Sequence, residues 1–408
     1  MKEQSSPFGF YEFFAGVGLA GLGLGDSWAC LWANDIDPRK AEIYEKNFGE
    51  GSICIEDVSK VKGSHLPDVA QLAWASFPCQ DLSLAGWRRG MTAKHSGAFW
   101  EFWRIVGELR EEGRAPKLLT IENVTGLLYG DSFTGLCEAL ASLGYRFGAV
   151  VIDAKHFVPQ SRPRIFMVAV DETVDFTGLA LKTPPVVSSV WHTPKLLDNV
   201  KAFDRNLKDL WIWWNLPKPA GTRACLIEMI TDPDRHDPGW LPDRDVSRLI
   251  DLMNDRHRRK IESARRKTPG PTVLTIYKRI RQGEQRAEVR DDHISGCLRV
   301  PGGGSSRQTV VLVQEGKVRA RLMNRRELAR LMGVPDAFWL PKHYNNAYRA
   351  MGDAVVVPAV RWLSDHILTP LAGRIVHASA CASAERQTGS YFLNRSLMRM
   401  KEWKRNEV

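Results

Sequence analysis

Short apolar runs, Phe8–Phe14, Trp28–Asn34, Leu72–Phe77, Leu118–Glu122, Phe147–Asp153 and Arg164–Val170, punctuate the first half of the chain and alternate with stretches of helical spacing. Strands separated by helices must bury both of their faces, so the expected class is α/β with a mostly parallel sheet. Phe99, Phe102, Trp103 and Val106 recur at helical spacing between two of these runs and read as the core face of a covering helix. From residue 175 the character changes. Pro184-Pro185, a Trp211–Trp214 cluster, a basic helix-like stretch and a Gly/Ser loop at 302–306 indicate a separate, smaller recognition domain. Helical signal returns at Asn324–Met332, and a last apolar segment, Ala354–Leu368, precedes a basic tail. The boundaries expected are 1–174 for the first part of the large domain, 175–320 for the recognition domain, 321–373 for the return and 374–408 for the tail.

Charge divides along the same line. Residues 1–174 hold 17 Lys+Arg against 22 Asp+Glu, whereas residues 175–408 hold 40 against 25, which accounts for the overall +10. A polyanion is expected on the basic half, and with no strongly apolar amphipathic segment it is nucleic acid rather than membrane. The start, Met1-Lys2-Glu3-Gln4, lacks the apolar core of a signal peptide, so a cytoplasmic protein is expected. Seven cysteines without a C-x-x-C pair argue against a disulfide framework and against structural zinc.

After the first run comes Phe14-Ala15-Gly16-Val17-Gly18, a loop whose glycines let the backbone approach a cofactor closely. The second run ends in Asn34-Asp35, an acid placed for a ribose diol, and Asp57 follows as a second acid. These residues suit a dinucleotide as well as S-adenosylmethionine. Three further constellations narrow the choice: Phe77-Pro78-Cys79-Gln80, then Glu122-Asn123-Val124, then Gln160-Ser161-Arg162-Pro163-Arg164. In this order, each beside a strand end, the set resembles the DNA cytosine-5 methyltransferase family of bacterial and phage type, and the likeness runs through nearly the whole chain.

The resemblance implies a Rossmann-like, S-adenosylmethionine-dependent methyltransferase domain with a smaller target-recognition domain. Cys79 would be the nucleophile that adds to C6 of cytosine, splitting one hard step into easier ones. Glu122, at the end of an apolar strand, would share a proton with N3, and Asn123 would hold the local turn. Arg162 and Arg164 alternate along an extended segment and would hold the base carbonyl or a flanking phosphate. By the same likeness Phe14, Ala15, Gly16 and Gly18 form the cofactor loop. Asp35 would bind the ribose, Ile36 would pack on the adenine, Asp57 with Val58 would meet its amino group, and Pro78, Asp353 and Val355 would complete the pocket. Arg326–Gly333 looks like the family's penultimate motif and Gly352–Val356 like its last. Glu12 for the usual Asp, Leu19 for a second glycine and Asp353 for the usual Asn depart from the pattern.

A cytosine inside a duplex leaves no room for a thiol below its ring and a sulfonium above, so it must be flipped out. Leu82–Gly97, with three glycines and Arg88, Arg89 and Lys94, carries hinges and charges suited to closing over it, and Gln80 is placed with Arg88 and Arg89 on DNA. In the basic half, Arg256–Lys267 suits phosphate contact, Thr275–Arg281 suits a strand with one polar, aromatic-bearing face, and Arg299, Arg307 and Gln308 around Gly302–Gly304 are the expected base readers. The expected partner is double-stranded DNA, with a cognate restriction endonuclease acting on the same site, no metal, and a monomeric state. An RNA-directed member of the family, a nicotinamide-dependent oxidoreductase and a non-catalytic DNA-binding protein are the alternatives.

Overall fold

The computed structural model describes residues 7–78, 97–219, 225–266, 270–300 and 307–380. Its large sheet contains β1 (Phe8–Phe13), β2 (Trp28–Asp35), β3 (Cys54–Ile55), β4 (Leu72–Ala75), β5 (Leu118–Val124), β6 (Tyr145–Asp153) and β7 (Pro163–Asp171), in the spatial order β3-β2-β1-β4-β5-β7-β6. Pairing is parallel from β3 through β5, and β7 runs antiparallel between β5 and β6. The order reverses between β1 and β4, and a crevice at the carboxyl ends beside such a reversal is where open α/β sheets take ligands.

Helices cover both faces. Ala98–Glu111 buries Phe99, Phe102, Trp103, Ile105, Val106 and Leu109, the aromatic stripe expected as core. Each such side chain contributes roughly 1.5–3 kcal/mol by leaving water. On the opposite face Leu19–Leu24 packs against Val357–Leu363. The approach is close because Gly23 has no side chain, and a Cβ there would lie 2.5 Å from Val360. That contact brings residues 357–363 back beside the helix that follows the first glycine loop.

A second, antiparallel sheet contains β8 (Thr272–Arg281), β9 (Glu284–Arg290), β10 (Thr309–Gln314) and β11 (Lys317–Leu322), in the order β11-β10-β8-β9. Its own core joins Val246, Leu249 and Ile261 from the helices Asp243–Asp251 and Asp255–Arg266 to Leu274, Ile276, Val289 and Val311. The basic stretch is therefore a helix with a narrow buried edge of Ile261 and Ala264.

The boundary expected at residue 175 does not coincide with this division. Ile212 N donates to Phe147 O at 2.6 Å, Trp191 O accepts from Val151 N at 2.8 Å, and Trp211 and Trp214 are buried against the large sheet. Gly148 makes this possible, since a Cβ on it would meet Ile212 O at 1.8 Å. The tryptophan cluster thus covers the β6 edge and belongs to the large core. Ile280, expected on the apolar side of its strand, is 64% exposed because β8 overhangs the small core there. Among the described residues no helix is long and apolar enough to cross a membrane, and no group of three or more His, Cys, Asp or Glu side chains is placed to hold a metal ion.

Candidate active site

A cleft of about 1230 Å3 opens at the carboxyl ends of β1, β2, β4 and β5. Its first wall is the loop after β1. Phe14 takes φ 56°, a left-handed conformation unusual for a side chain of this size, and Gly16 and Gly18 follow at φ 59° and 80°. Only glycine fits at 18, because a Cβ would fall 2.4 Å from the Phe48 ring and 2.9 Å from Tyr44. Asp35 is 7% exposed and holds this loop in place, one carboxylate oxygen accepting from Gly16 N and the other from Asp37 N, both at 2.9 Å. Beside it Ile36 is 65% exposed, an apolar side chain presented to the cleft. Asp57 caps the turn Val58–Lys60 through Ser59 N at 2.9 Å, and that backbone donor holds its carboxyl below the ordinary value.

The departures Glu12, Leu19 and Asp353 line this same cleft. Leu19 is the first residue of its helix and is buried, so that position does not require glycine. Asp353 pairs with Lys40 at 3.0 Å, which offsets the carboxylate where an uncharged residue is usual. Glu12 is 1% exposed; Gly21 N donates to it at 3.2 Å, and burial pushes its carboxyl up to about 7. The folded chain therefore keeps a proton that the unfolded chain releases near its ordinary value of about 4.3. Stability contributed by the neutral acid is full below that value and is lost as pH rises toward 7. Glu12→Gln is expected to remove this loss, on the order of 3 kcal/mol. Urea unfolding of both proteins at about pH 5 and about pH 8 reads it directly, and parallel pH dependence would contradict it.

At the far end of the cleft β5 supplies Glu122 and Asn123. The β4–β5 pairing ends at Ala75↔Ile121, and Asn123, two residues further along β5, reaches across to the chain leaving β4. Its Nδ2 donates to Phe77 O at 3.1 Å and its Oδ1 accepts from Val124 N at 2.8 Å, the turn-holding part expected of it. Pro78 lies at this strand end, and Cys79, Gln80, Arg88 and Arg89 fall outside the described residues. Glu122 is 7% exposed. In the antiparallel β5–β7 pair Val124 faces Arg164 and Glu122 faces Phe166, which sets Glu122 and Arg164 on one diagonal. Arg164 Nε accordingly sits 3.2 Å from Glu122 Oε1. Burial pushes the Glu122 carboxyl above the ordinary carboxylate range, against the pull of Arg164 and then Arg162.

Arg162 departs from expectation. It is 2% exposed, and its terminal nitrogens donate to Leu298 O, Gly352 O and Ala354 O, each at 2.7 Å. Burial, with Arg164 nearby, pushes its guanidinium down to about 10. A group holding three carbonyls is a positioning residue, so the expectation that it grips the base or a phosphate is corrected. Gln160 does similar work: Nε2 donates to Leu331 O at 2.8 Å and Oε1 accepts from Leu298 N at 3.0 Å. The pair of residues ties β7, the 297–300 segment and the two late motifs into one frame. Gln308 is likewise corrected as a base reader, since it is 4% exposed and packs on Gly296. Arg307 lies over the rings of Tyr344 and Tyr348, at 5.6 and 5.7 Å, whereas Arg299 is exposed.

Lys40, Ser76 and Cys297 were not legible as site residues. Ser76 acts on Glu122 by a hydrogen bond, and Cys297 has Arg162 Nη1 3.4 Å from its sulfur. Burial would raise the Cys297 thiol, but Arg162, Arg164 and Arg299 outweigh it and hold the thiol below its ordinary value. Lys40 and Cys297 stand outside the motifs and are brought to the site only by the fold, whereas Ser76 directly precedes Phe77-Pro78-Cys79-Gln80 and carries no signal of its own.

Comparison with known proteins agrees with this arrangement. The family model described as C-5 cytosine-specific DNA methylase matches residues 8–369. Type II methyltransferase M.HhaI of Haemophilus parahaemolyticus is 26% identical over 372 residues, covering 90% of this chain and 95% of that protein. Type II methyltransferase M.HpaII of Haemophilus parainfluenzae is 26% identical over 389 residues, covering 89% and 90%. The fold is shared with the Dnmt2 methyltransferase of S. pombe, at TM-score 0.56 and 16% identity over 89% of this chain and 99% of that one. It is shared equally with the Entamoeba histolytica methyltransferase EhMeth, at TM-score 0.57 and 14% identity over 90% and 99%. The family match spans the glycine loop, the Glu122–Arg164 pair and the returning last motif together, and the chain belongs to the C-5 cytosine-specific DNA methylases.

Proposed function

We propose that this chain transfers a methyl group from S-adenosylmethionine to C5 of a cytosine flipped out of a short duplex DNA sequence, as a monomer. In this reading it is the modification partner of a restriction endonuclease that acts on the same site. The observation that carries it is one cleft with residues suited to a nucleoside at one end and, at the other, the Glu122–Arg164 pair with its carboxylate buried. The donor set fits the cofactor: Asp35 for a diol, Ile36 and Phe14 for the two faces of a purine, Asp57 and Val58 for its edge, and Gly16 where nothing crowds the backbone within 4 Å. Ala15, Gly18, Pro78, Asp353 and Val355 complete the enclosure. When bound, the cofactor would supply a methyl group carried on a sulfonium, which leaves as a neutral thioether.

The remaining work falls to the protein. The Cys79 thiolate adds to C6, and the electron pair displaced into the ring is taken up at N3, where the protonated Glu122 shares its proton. This leaves C5 as the nucleophilic carbon. After transfer the C5 proton passes to water, the thiolate leaves C6, and the proton at N3 returns to Glu122, which restores the ring. Arg164 is held by Glu122 in reach of the same base, and Arg162 with Gln160 fixes the strand that carries it. The small sheet and its helices, with the segment 294–300, form the target reader in this reading.

Base-resolution cytosine methylation sequencing of DNA from a methylation-deficient host expressing the chain tests the proposal. Methylation confined to cytosines of one short motif, absent from a culture with empty vector, is expected. Unmodified DNA in the presence of folded protein would overturn it.

A further inference from the structure

The two faces of β8 have different destinations. Leu274 and Ile276 lie in the small core, whereas Val273 joins the large core together with Val310 of β10. Thr275, on the Val273 side, is fully buried, its Oγ1 donating to Ile294 O at 3.5 Å. The next residue, Ser295, accepts at its carbonyl from Ser161 N at 3.0 Å, and Asp153 Oδ1 accepts from Arg162 N at 2.8 Å. The odd-numbered face of β8 therefore starts against the segment that carries Arg162 and Arg164. Two and four residues further on, about 7 and 14 Å along the strand, Tyr277 and Arg279 extend that face beyond the packed contact.

On this overhang the side chains form one unit. Arg279 Nη2 donates to Tyr277 Oη at 2.8 Å, and its guanidinium carbon lies 4.4 Å from the centre of the Tyr277 ring. Arg279 Nε is 3.5 Å from Glu288 Oε2, to which the Tyr277 hydroxyl also donates. Arg286 stands directly opposite Arg279, with Glu284 at 2.5 Å. Two cations face to face destabilise a strand pair, and here each is offset by a carboxylate of its own, Glu288 for Arg279 and Glu284 for Arg286. Arg279 nonetheless keeps 47% of its side chain exposed.

We infer that Arg279 is a base-reading residue, which takes the major-groove edge of a guanine in the DNA target; the inference rests on the function proposed above. A phosphate contact needs only charge, and the helix Asp255–Arg266 provides that on the exposed Arg256, Arg259 and Arg266. An arginine held by a ring and a carboxylate has lost rotamer freedom, and the carboxylate offsets part of its field. What it keeps is a fixed planar fork, the geometry that matches guanine O6 and N7.

The test uses the full chain and a random-sequence duplex library, sequenced after selection for binding and, separately, for methylation. Arg279→Ala is expected to weaken the preference at one G·C pair of the bound motif roughly 10- to 100-fold, leaving the other positions intact. Arg279→Lys is expected not to restore it, because an ammonium cannot fork. Unchanged affinity for S-adenosylhomocysteine in calorimetry checks that each variant is folded. An unaltered motif, or uniform weakening across all sequences with a smaller salt slope, overturns the inference. A wild-type chain that selects a motif but methylates nothing would defeat the catalytic reading and leave Arg279 standing, whereas an unselective wild type would overturn the assignment of Arg279.

Discussion

Cys79→Ala is expected to lower the single-turnover rate of methyl transfer by more than about 10^4-fold while leaving duplex binding within a few fold. In the mechanism proposed above, this substitution removes the route through the C6 adduct and leaves in place the residues proposed for the cofactor and for target reading. Glu122→Gln is expected to cost less, about 10^2- to 10^4-fold, because the amide can still donate a hydrogen bond to N3 but cannot pass a proton. The pH profile separates a proton donor from a structural residue. If the protonated carboxyl acts, activity is present below its folded pKa and lost as pH rises through it, and burial extends this limb upward. Arg164→Ala removes an influence that lowers the Glu122 pKa, so the alkaline limb should move to higher pH even as the rate falls. Single-turnover rates across pH for the wild type and the Arg164 variant decide it. An alkaline limb that stays in place would show that Glu122 does not set the profile.

The parts of this molecule legible in sequence are those decided locally. Strands such as Leu118–Val124 are apolar because both faces are covered, and the ends of β4 and β5 place Pro78 and Glu122 together once parallel pairing is assumed. Asn324 before Arg325–Leu331 carries a capping box with Glu327, a local device that marks the helix start. The strand β3 was not legible, since two exposed residues carry no periodicity. Destinations of long side chains were not legible either. Arg162 and Arg164 look equivalent at spacing two, yet one ends on the backbone of residues 298, 352 and 354 and the other on Glu122. The tryptophans near 211 read as a change of domain because composition shifts there. Their partners are the edge of β6, some 60 residues earlier, and composition carries no trace of that pairing.

The penultimate motif is anchored by a buried ion pair, and breaking it should produce the largest loss of stability. Arg321 and Glu327 both have fully buried side chains, and the two guanidinium nitrogens of Arg321 meet the two carboxylate oxygens at 2.8 and 2.6 Å. The same carboxylate accepts from Thr231 N and Asn324 N, while Arg321 donates to Thr231 O and lies over the Trp240 ring. One pair thus joins β11, the Arg325–Leu331 helix and the 231–240 segment. Arg321→Met is expected to destabilise the protein by about 3–5 kcal/mol, because it leaves an unpaired carboxylate where water cannot reach. Replacing both residues by Met and Leu should recover part of that loss, since no charge is then stranded, but not all of it. The backbone N–H groups of Thr231 and Asn324 would have lost their acceptor, at a cost of about 1–3 kcal/mol each. Urea unfolding of the wild type, the two single variants and the double variant gives the coupling. If the double variant were as unstable as the sum of the singles, the loss would come from packing, and the charge pair would not be what holds these three segments together.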